Sequence, residues 1–332
     1  MLLKYLPDEP TLKFMKLRMG AFALSAVMLL ASIALVAVRG LNFGIDFQGG
    51  VVVEIETAAP TDVATVRNSL GDLNLGGVQV VEINDAVLDA TSAGRTYMIR
   101  TEGAQEEGDE AEAAVQETTN QILNSLKAEF GEIEVRRNEA VGPKVSGELL
   151  QAGLLALAIA LALMLAYIAF RFQWQFAIGA VLALVHDVAL TFGMFALTQF
   201  EFNLTTIAAL LTIVGYSMND TVVVYDRVRE ELRRYKKLSI SDVIDLAINR
   251  TLSRTLLTSG TTLLALISIF VLGGEVLRGF SFAMIWGVVI GTYSSVFIAS
   301  ALLLHTGVRR GMSMGGDEGE KKASNHPHGA QV

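Results

Sequence analysis

Residues 204–225 read LTTIAALLTIVGYSMNDTVVVY, and the reading of this stretch decides the fold. At about 20 residues it is long and apolar enough to cross a bilayer as a helix. It nevertheless carries Asp220 beside Asn219, about four turns into the span. A carboxylate near the centre of a transmembrane helix costs roughly 2.5–3.5 kcal/mol, so Asp220 is a candidate functional group on cost alone. Thr212, Tyr216 and Asp220 recur at i, i+4, i+8 and share one helix face. That polar stripe must face protein or water rather than lipid.

The chain has 332 residues, of which 52% are hydrophobic and 18% charged, and it contains no cysteine. Several apolar runs reach about 18 residues or more, which makes it a polytopic membrane protein. The missing cysteines exclude disulfides, thiolate nucleophiles and cysteine-bound metal clusters. No basic tract with interleaved aromatics points to nucleic acid, and no phosphate-binding glycine loop points to ATP.

Residues 1–18 carry Lys4, Lys13, Lys16 and Arg18, and the run 19–38 that follows is too long for a signal-peptide core. It is expected to be an uncleaved first span with the N-terminus in the cytoplasm. Residues 39–148 form one long hydrophilic insert. Between 40 and 148 there are 20 Asp/Glu against 7 Lys/Arg, a net −13 in a chain whose total is −8. Short β-branched runs at 51–56, 79–83, 97–101 and 133–140 alternate with helical spacing at 62–70 and 110–130. In the second helix Val115, Ile122, Leu126 and Phe130 form the apolar face. The order β-α-β-β-α-β predicts a ferredoxin-like α+β domain outside the cytoplasm. Residues 103–109 (GAQEEGD) read as a solvated loop.

Five more spans are expected at 149–169, 176–198, 204–225, 256–272 and 280–304. The loop 226–255 holds Arg227, Arg229, Arg233, Arg234, Lys236, Lys237, Arg250 and Arg254. A cytoplasmic place for this loop, and for both termini, satisfies the charge asymmetry. Within it, 241–250 reads as a surface helix capped by Ser241. Residues 305–332 are expected to be a disordered cytoplasmic tail, with His326 and His328 part of its composition rather than a metal site.

Arg254 lies just inside the start of the fifth span. Asp220 lies six residues from Asp226, about 9 Å along its helix, so the two depths agree. Arg254, Thr258 and Thr261 make a second polar face that could meet the first. Burial favours a neutral carboxyl and a nearby guanidinium favours a charged one. A site alternating between these conditions could take up and release a proton, with Tyr216, Asn219 and Thr258 as supporting groups. Snorkelling to the headgroups is the plainer reading of Arg254. His186 and Asp187 in the third span could form a proton relay, or only an interhelical hydrogen bond. Asp187 and Thr191 share a helix face. Gly287, Gly291 and Ser295 repeat every four residues, a packing seam within the bundle or against a partner subunit. A carboxylate with Thr and Asn neighbours suits either a proton or a sodium ion.

Several motifs in the same order resemble the SecF family, the six-span subunits of the bacterial Sec protein-export accessory complex in the RND superfamily. They are NFGIDFQGG at 42–50, VGPKVSGEL at 141–149, GYSMNDTVVVYDRVRE at 215–230, SRTLLTSGTT at 253–262, and the run from Gly279 through GVVIGTYSSVFIASAL at 287–302. The resemblance implies a SecD-type partner completing a pseudo-symmetric twelve-span unit. It further implies association with the SecYEG channel and YajC, and an indirect link to the ATPase SecA. The implied work is proton-driven pulling of exported, unfolded polypeptide outward across the cytoplasmic membrane, with no cofactor and no hydrolytic chemistry. The family's intramembrane acid and arginine fall on Asp220 and Arg254.

Three rival readings remain at this point. One is half of a proton-coupled small-molecule transporter, disfavoured by the single six-span half and the small external domain. Another is a structural scaffold for the channel. The third is an intramembrane aspartyl protease using Asp187 and Asp220, for which the Gly-x-Gly-Asp pattern is missing.

Overall fold

In the computed structural model, residues 11–59, 61–73, 75, 77–83, 95–102 and 109–308 are described. The first span is α1 (Arg18–Arg39). After it come the single turn α2 (Ile45–Gln48), β1 (Gly50–Thr57), α3 (Val63–Ser69), β2 (Val78–Ile83), β3 (Thr96–Glu102), α4 (Asp109–Phe130) and β4 (Ile133–Val141). The membrane helices resume with α5 (Pro143–Arg171), α6 (Trp174–Thr198), α7 (Leu204–Arg234), α8 (Ile240–Leu272) and α9 (Gly274–Ser294). A π-helical turn, Ser295–Ala299, then leads into α10 (Ser300–His305). Among the described residues six helical segments are long and apolar enough to cross a membrane, the last running from α9 into α10. The loop expected at 103–109, save its last residue, and the tail beyond 308 lie outside the described residues.

The four strands form one antiparallel sheet in the order β2-β3-β1-β4, the arrangement expected of a split βαβ unit. Alternation along β1 sends Val51, Val53 and Ile55 to the helix-covered face. There they pack with Val66 and Leu70, with Tyr97 and Ile99 of β3, and with Ile122 and Leu126 of α4. On the opposite face Arg136 pairs with Glu56.

The sheet domain is tied to the bundle by residues 42–50. Gly49 and Gly50 have φ of 75° and 129°, conformations that favour glycine and turn the chain from α2 into β1. Gly44 N–H donates to the Phe202 carbonyl at 2.9 Å, and Phe202 N–H to the Asn42 carbonyl at 2.7 Å. The Asp46 carboxylate accepts the Leu204 N–H at 2.8 Å. This places an anion on the first turn of α7, where unpaired amides and the helix dipole favour it. Phe43, Phe47, Phe192, Phe195 and Phe202 close the joint.

Glu201 is half-buried here, and burial pushes its carboxyl up against the opposing pull of Arg100 and Arg137. The folded state therefore keeps this proton to a higher pH than the unfolded chain does. Its contribution to stability falls as the pH rises through that range. Glu201→Gln is expected to flatten, by a few degrees in a thermal melt of the purified protein, the decline seen as the pH rises above the ordinary carboxylate range. Parallel declines in wild type and variant would remove Glu201 as its source.

Two helices run further than their apolar stretches. α7 continues past Tyr225 to Arg234, and α8 begins at Ile240, so the basic loop reduces largely to residues 235–239. The surface helix expected at 241–250 is the first part of α8. Its cap is Ser239, not Ser241: the Ser239 hydroxyl accepts the Asp242 N–H at 3.1 Å. The extensions hold together through fully buried Glu231, which pairs with Arg227 at 2.9 Å and with Arg250 of α8. The N-terminal segment docks on the same part of α8, with Met15 N–H donating to the Asp245 carboxylate at 2.8 Å.

Burial separates the six spans into two groups. The windows in α6, α7 and α9–α10 are 61%, 56% and 67% buried within the chain, against 17% each in α1, α5 and α8. The first three form the centre, and the other three are left to lipid or to another protein.

Candidate functional site

The seam at Gly287, Gly291 and Ser295 packs against α7, inside the chain. A side chain at Gly287 would meet Ile213, and one at Gly291 would meet Ser217. With no side chains between them the two helices approach closely, and the short Ser295 hydroxyl reaches Asp220 one turn further on.

Asp220 is 9% exposed. Its Oδ1 accepts the Thr255 hydroxyl of α8 at 2.6 Å, and its Oδ2 accepts the Ser295 hydroxyl at the start of the π-helical turn. Three helices therefore meet at one carboxyl. Its two partners are neutral hydroxyls that donate or accept by rotating the O–H. They can serve the carboxylate or the protonated acid without moving a heavy atom. Among the described residues no ion pair holds this carboxyl in one charge state.

Arg254 is not one of those partners. It is exposed and lines an open cleft of about 600 Å³ with Tyr167, Arg171, Phe172, Asp226 and Arg250. Successive helical residues are turned about 100° apart. With Thr255 aimed at Asp220, Arg254 is aimed away. The expected polar shell also points elsewhere. Thr212, Asn219, Thr258 and Thr261 are exposed on the outer faces of α7 and α8. The hydroxyls of Thr212, Thr258 and Thr261 donate to carbonyls of their own helices. Tyr216 is half-buried and hydrogen-bonds Ser259 at 3.4 Å, and Ser259 bonds Thr292 at 2.8 Å.

His186 and Asp187 do come together, at 3.0 Å between Nδ1 and Oδ1. The second carboxylate oxygen accepts Ser217 of α7 at 2.6 Å and Ser294 of α9 at 2.7 Å. Thr191 donates to the Asp187 backbone carbonyl, not to its side chain. Among the described residues no hydrogen bond joins Asp187 to Asp220, and each acid has its own hydroxyl partners.

Thr255, Ser295, Ser217 and Ser294 are thus the carboxylate-binding residues that the sequence reading passed over. Ser295 alone had a signal, as the last member of the small-residue repeat.

The comparisons agree with one another. The family described as "Protein export membrane protein SecD/SecF, C-terminal" matches residues 121–309, and "SecD/SecF GG Motif" matches residues 34–61. The protein translocase subunit SecF of Rhodobacter capsulatus is 46% identical over 93% of this chain and 92% of its own length. That of Vibrio alginolyticus is 40% identical over 92% and 93%. The crystal structure of SecDF, a translocon-associated membrane protein from Thermus thermophilus, is similar with a TM-score of 0.76 at 34% identity. It covers 91% of this chain, whereas this chain spans 39% of the solved one. A second crystal structure, of SecDF in a super-membrane-facing form, matches with a TM-score of 0.65 at 35% identity.

Proposed function

Since this chain belongs to the SecF family of protein translocase subunits, we propose that it is the six-span half of a proton-driven accessory unit of the Sec translocase. In that unit it pairs with a SecD-type subunit and works beside the SecYEG channel and YajC. It helps draw unfolded polypeptide outward late in export, after SecA has started it. The membrane is the bacterial cytoplasmic membrane, with both termini inside and the acidic α+β domain outside. The basic residues around the α7–α8 turn support that orientation.

The observation that carries the reading is Asp220, a buried carboxyl in mid-span held by rotatable hydroxyls and by no salt bridge among the described residues. An intramembrane acid is a functional-site candidate by default, and one without a cation can escape the cost of burial by taking up a proton. Arg254 enters in a second conformation, in which α8 turns its guanidinium toward Asp220 and drives the proton off. The α7 N-terminus is tied to the sheet domain by Asp46 and Gly44, so rotation of α7 against α9 reaches the outside. One charge crossing the field supplies about 2.3 kcal/mol per 100 mV, and one pH unit adds about 1.4 kcal/mol per proton. A few protons per cycle suffice to bias such a motion, provided occupancy changes the preferred conformation.

The outer faces of α7 and α8 support the partner. Thr212, Asn219, Arg254, Thr258 and Thr261 are exposed along spans that lipid would otherwise cover. A second six-span bundle covers them, consistent with the greater length of the solved SecDF chain.

The test is translocation into sealed vesicles holding the channel, SecA and the SecD-type subunit, with and without this chain. The expected result is acceleration by an imposed proton gradient only when the chain is present. Equal acceleration without it would overturn the proposal, and acceleration by a sodium gradient instead would replace the ion.

A further inference from the structure

Proton coupling at Asp220 leaves a second buried acid, with a histidine beside it, without a task. Asp187 is 0% exposed and His186 4%. The Asp187 carboxylate is surrounded by the His186 Nδ1, the Ser217 hydroxyl and the Ser294 hydroxyl. Nε2 of His186 is enclosed and has no hydrogen-bond partner among the described residues. A buried ring nitrogen without a partner is rare in a folded protein and calls for a reason.

The surroundings hold few other charges. On α9, the Tyr293 ring lies 6.3 Å from the imidazole, and its hydroxyl bonds Ser25 and the Ala21 carbonyl of α1. α1 otherwise offers Ser32, and α5 is apolar from Leu154 to Leu165. α7 offers Ser217 and, one turn on, Asp220. α10 carries His305, which bonds the Ala301 carbonyl and packs on Phe22. No arginine or lysine pairs with Asp187 or Asp220 among the described residues.

Ser294 and Ser295 are consecutive, yet they serve different acids on different helices, Asp187 on α6 and Asp220 on α7. They stand where α9 passes into the π-helical turn. Such turns recur at functional sites.

We propose that His186 and Asp187 form a second proton-binding site, with Nε2 of His186 as the accepting atom, coupled to Asp220 through Ser294 and Ser295. This rests on the reading of Asp220 as a proton-coupling group. A proton from water binds the Nε2 lone pair, and the imidazolium keeps its Nδ1–H on Asp187. The charge of the carboxylate is then balanced, and its hold on Ser294 weakens. A hydroxyl donates more strongly to an unbalanced carboxylate than to a neutralised one. The two serines move with one turn of helix, so proton binding at one acid changes the pull on the other. Linkage makes this effect reciprocal.

The experiment follows the infrared histidine bands of the assembled complex between about pH 5 and pH 8, taking wild type minus His186→Gln. The expected result is a titrating imidazole signal at this position that persists in Asp220→Asn with its midpoint moved by about one pH unit. In vesicles, His186→Gln is expected to shift the pH profile of gradient-driven translocation by a similar amount while assembly holds. A histidine difference that is silent over this range, or translocation profiles that superimpose, would overturn the proposal. If His186→Gln does not assemble, Ser294→Ala replaces it. Loss of that hydroxyl should move the same midpoint, and an unmoved midpoint counts against the coupling. Retention of full gradient dependence by Asp220→Asn would sink the underlying reading instead, whatever the histidine does.

Discussion

Asp220→Asn is expected to remove the whole gradient-dependent increment of translocation and to leave the gradient-independent rate and assembly unchanged. Asparagine matches aspartate in size, and its carbonyl still accepts the Thr255 hydroxyl that now lies at 2.6 Å. It takes up no proton in this range, so only the titration is lost. Thr255→Val and Ser295→Ala form the graded part of the series. Each removes one of the two hydroxyls seen on the carboxyl. A hydrogen bond to a charged group contributes about 1.5–3 kcal/mol. Each variant is expected to lower the increment several-fold without abolishing it, because one donor remains. The readout is the translocation rate in sealed vesicles with the gradient on and off. An Asp220→Asn complex that still responds to the gradient would move the coupling to another group, with the His186–Asp187 pair first in line.

The same residues show what a sequence makes legible and what it hides. Six spans follow from apolar length alone, because the bilayer sets a length that few soluble helices match. The α+β insert follows from two periodicities, 2.0 and 3.6, and its core positions Val115, Ile122 and Leu126 are those the helical spacing marked. Asp220 stands out because a carboxylate in an apolar run is costly wherever its partners are. Those partners do not stand out. Thr255 and Ser295 lie 35 and 75 residues away along the chain, and serine and threonine change the hydropathy of a span very little. Depth along the two helices puts Arg254 level with Asp220 but says nothing of the rotation of α8, and a rotation of about 100° separates Thr255 from Arg254. The cap of α8 is a different case. Ser239 stands three residues before Asp242, the spacing of a capping box, so that pattern was available and favoured Ser239 over Ser241.

Gly291→Leu is expected to separate α9 from α7 and, with it, to break both carboxylate contacts. A Cβ at Gly291 would already lie 3.1–3.4 Å from Ser217, with the Ser217 Cα among the atoms met. Backbone cannot step aside as the tip of a flexible side chain can. Leucine adds three more carbons where overpacking typically costs about 1–3 kcal/mol. The damage should not stay local, because Ser294 and Ser295 follow Gly291 on the same helix and their reach to Asp187 and Asp220 depends on this close approach. The purified variant is therefore expected to melt several degrees lower and to lose gradient-driven translocation even in the fraction that assembles. Gly260→Ala on α8 is the matched control. Nothing lies within 4 Å of a Cβ there, and alanine favours a helix over glycine by about 0.8–1 kcal/mol, so the control should be neutral or slightly more stable. If Gly291→Leu melts with the wild type yet loses coupling, the seam is serving the site rather than the fold. If it keeps both, the close approach of α7 and α9 is not what presents the serines to their acids.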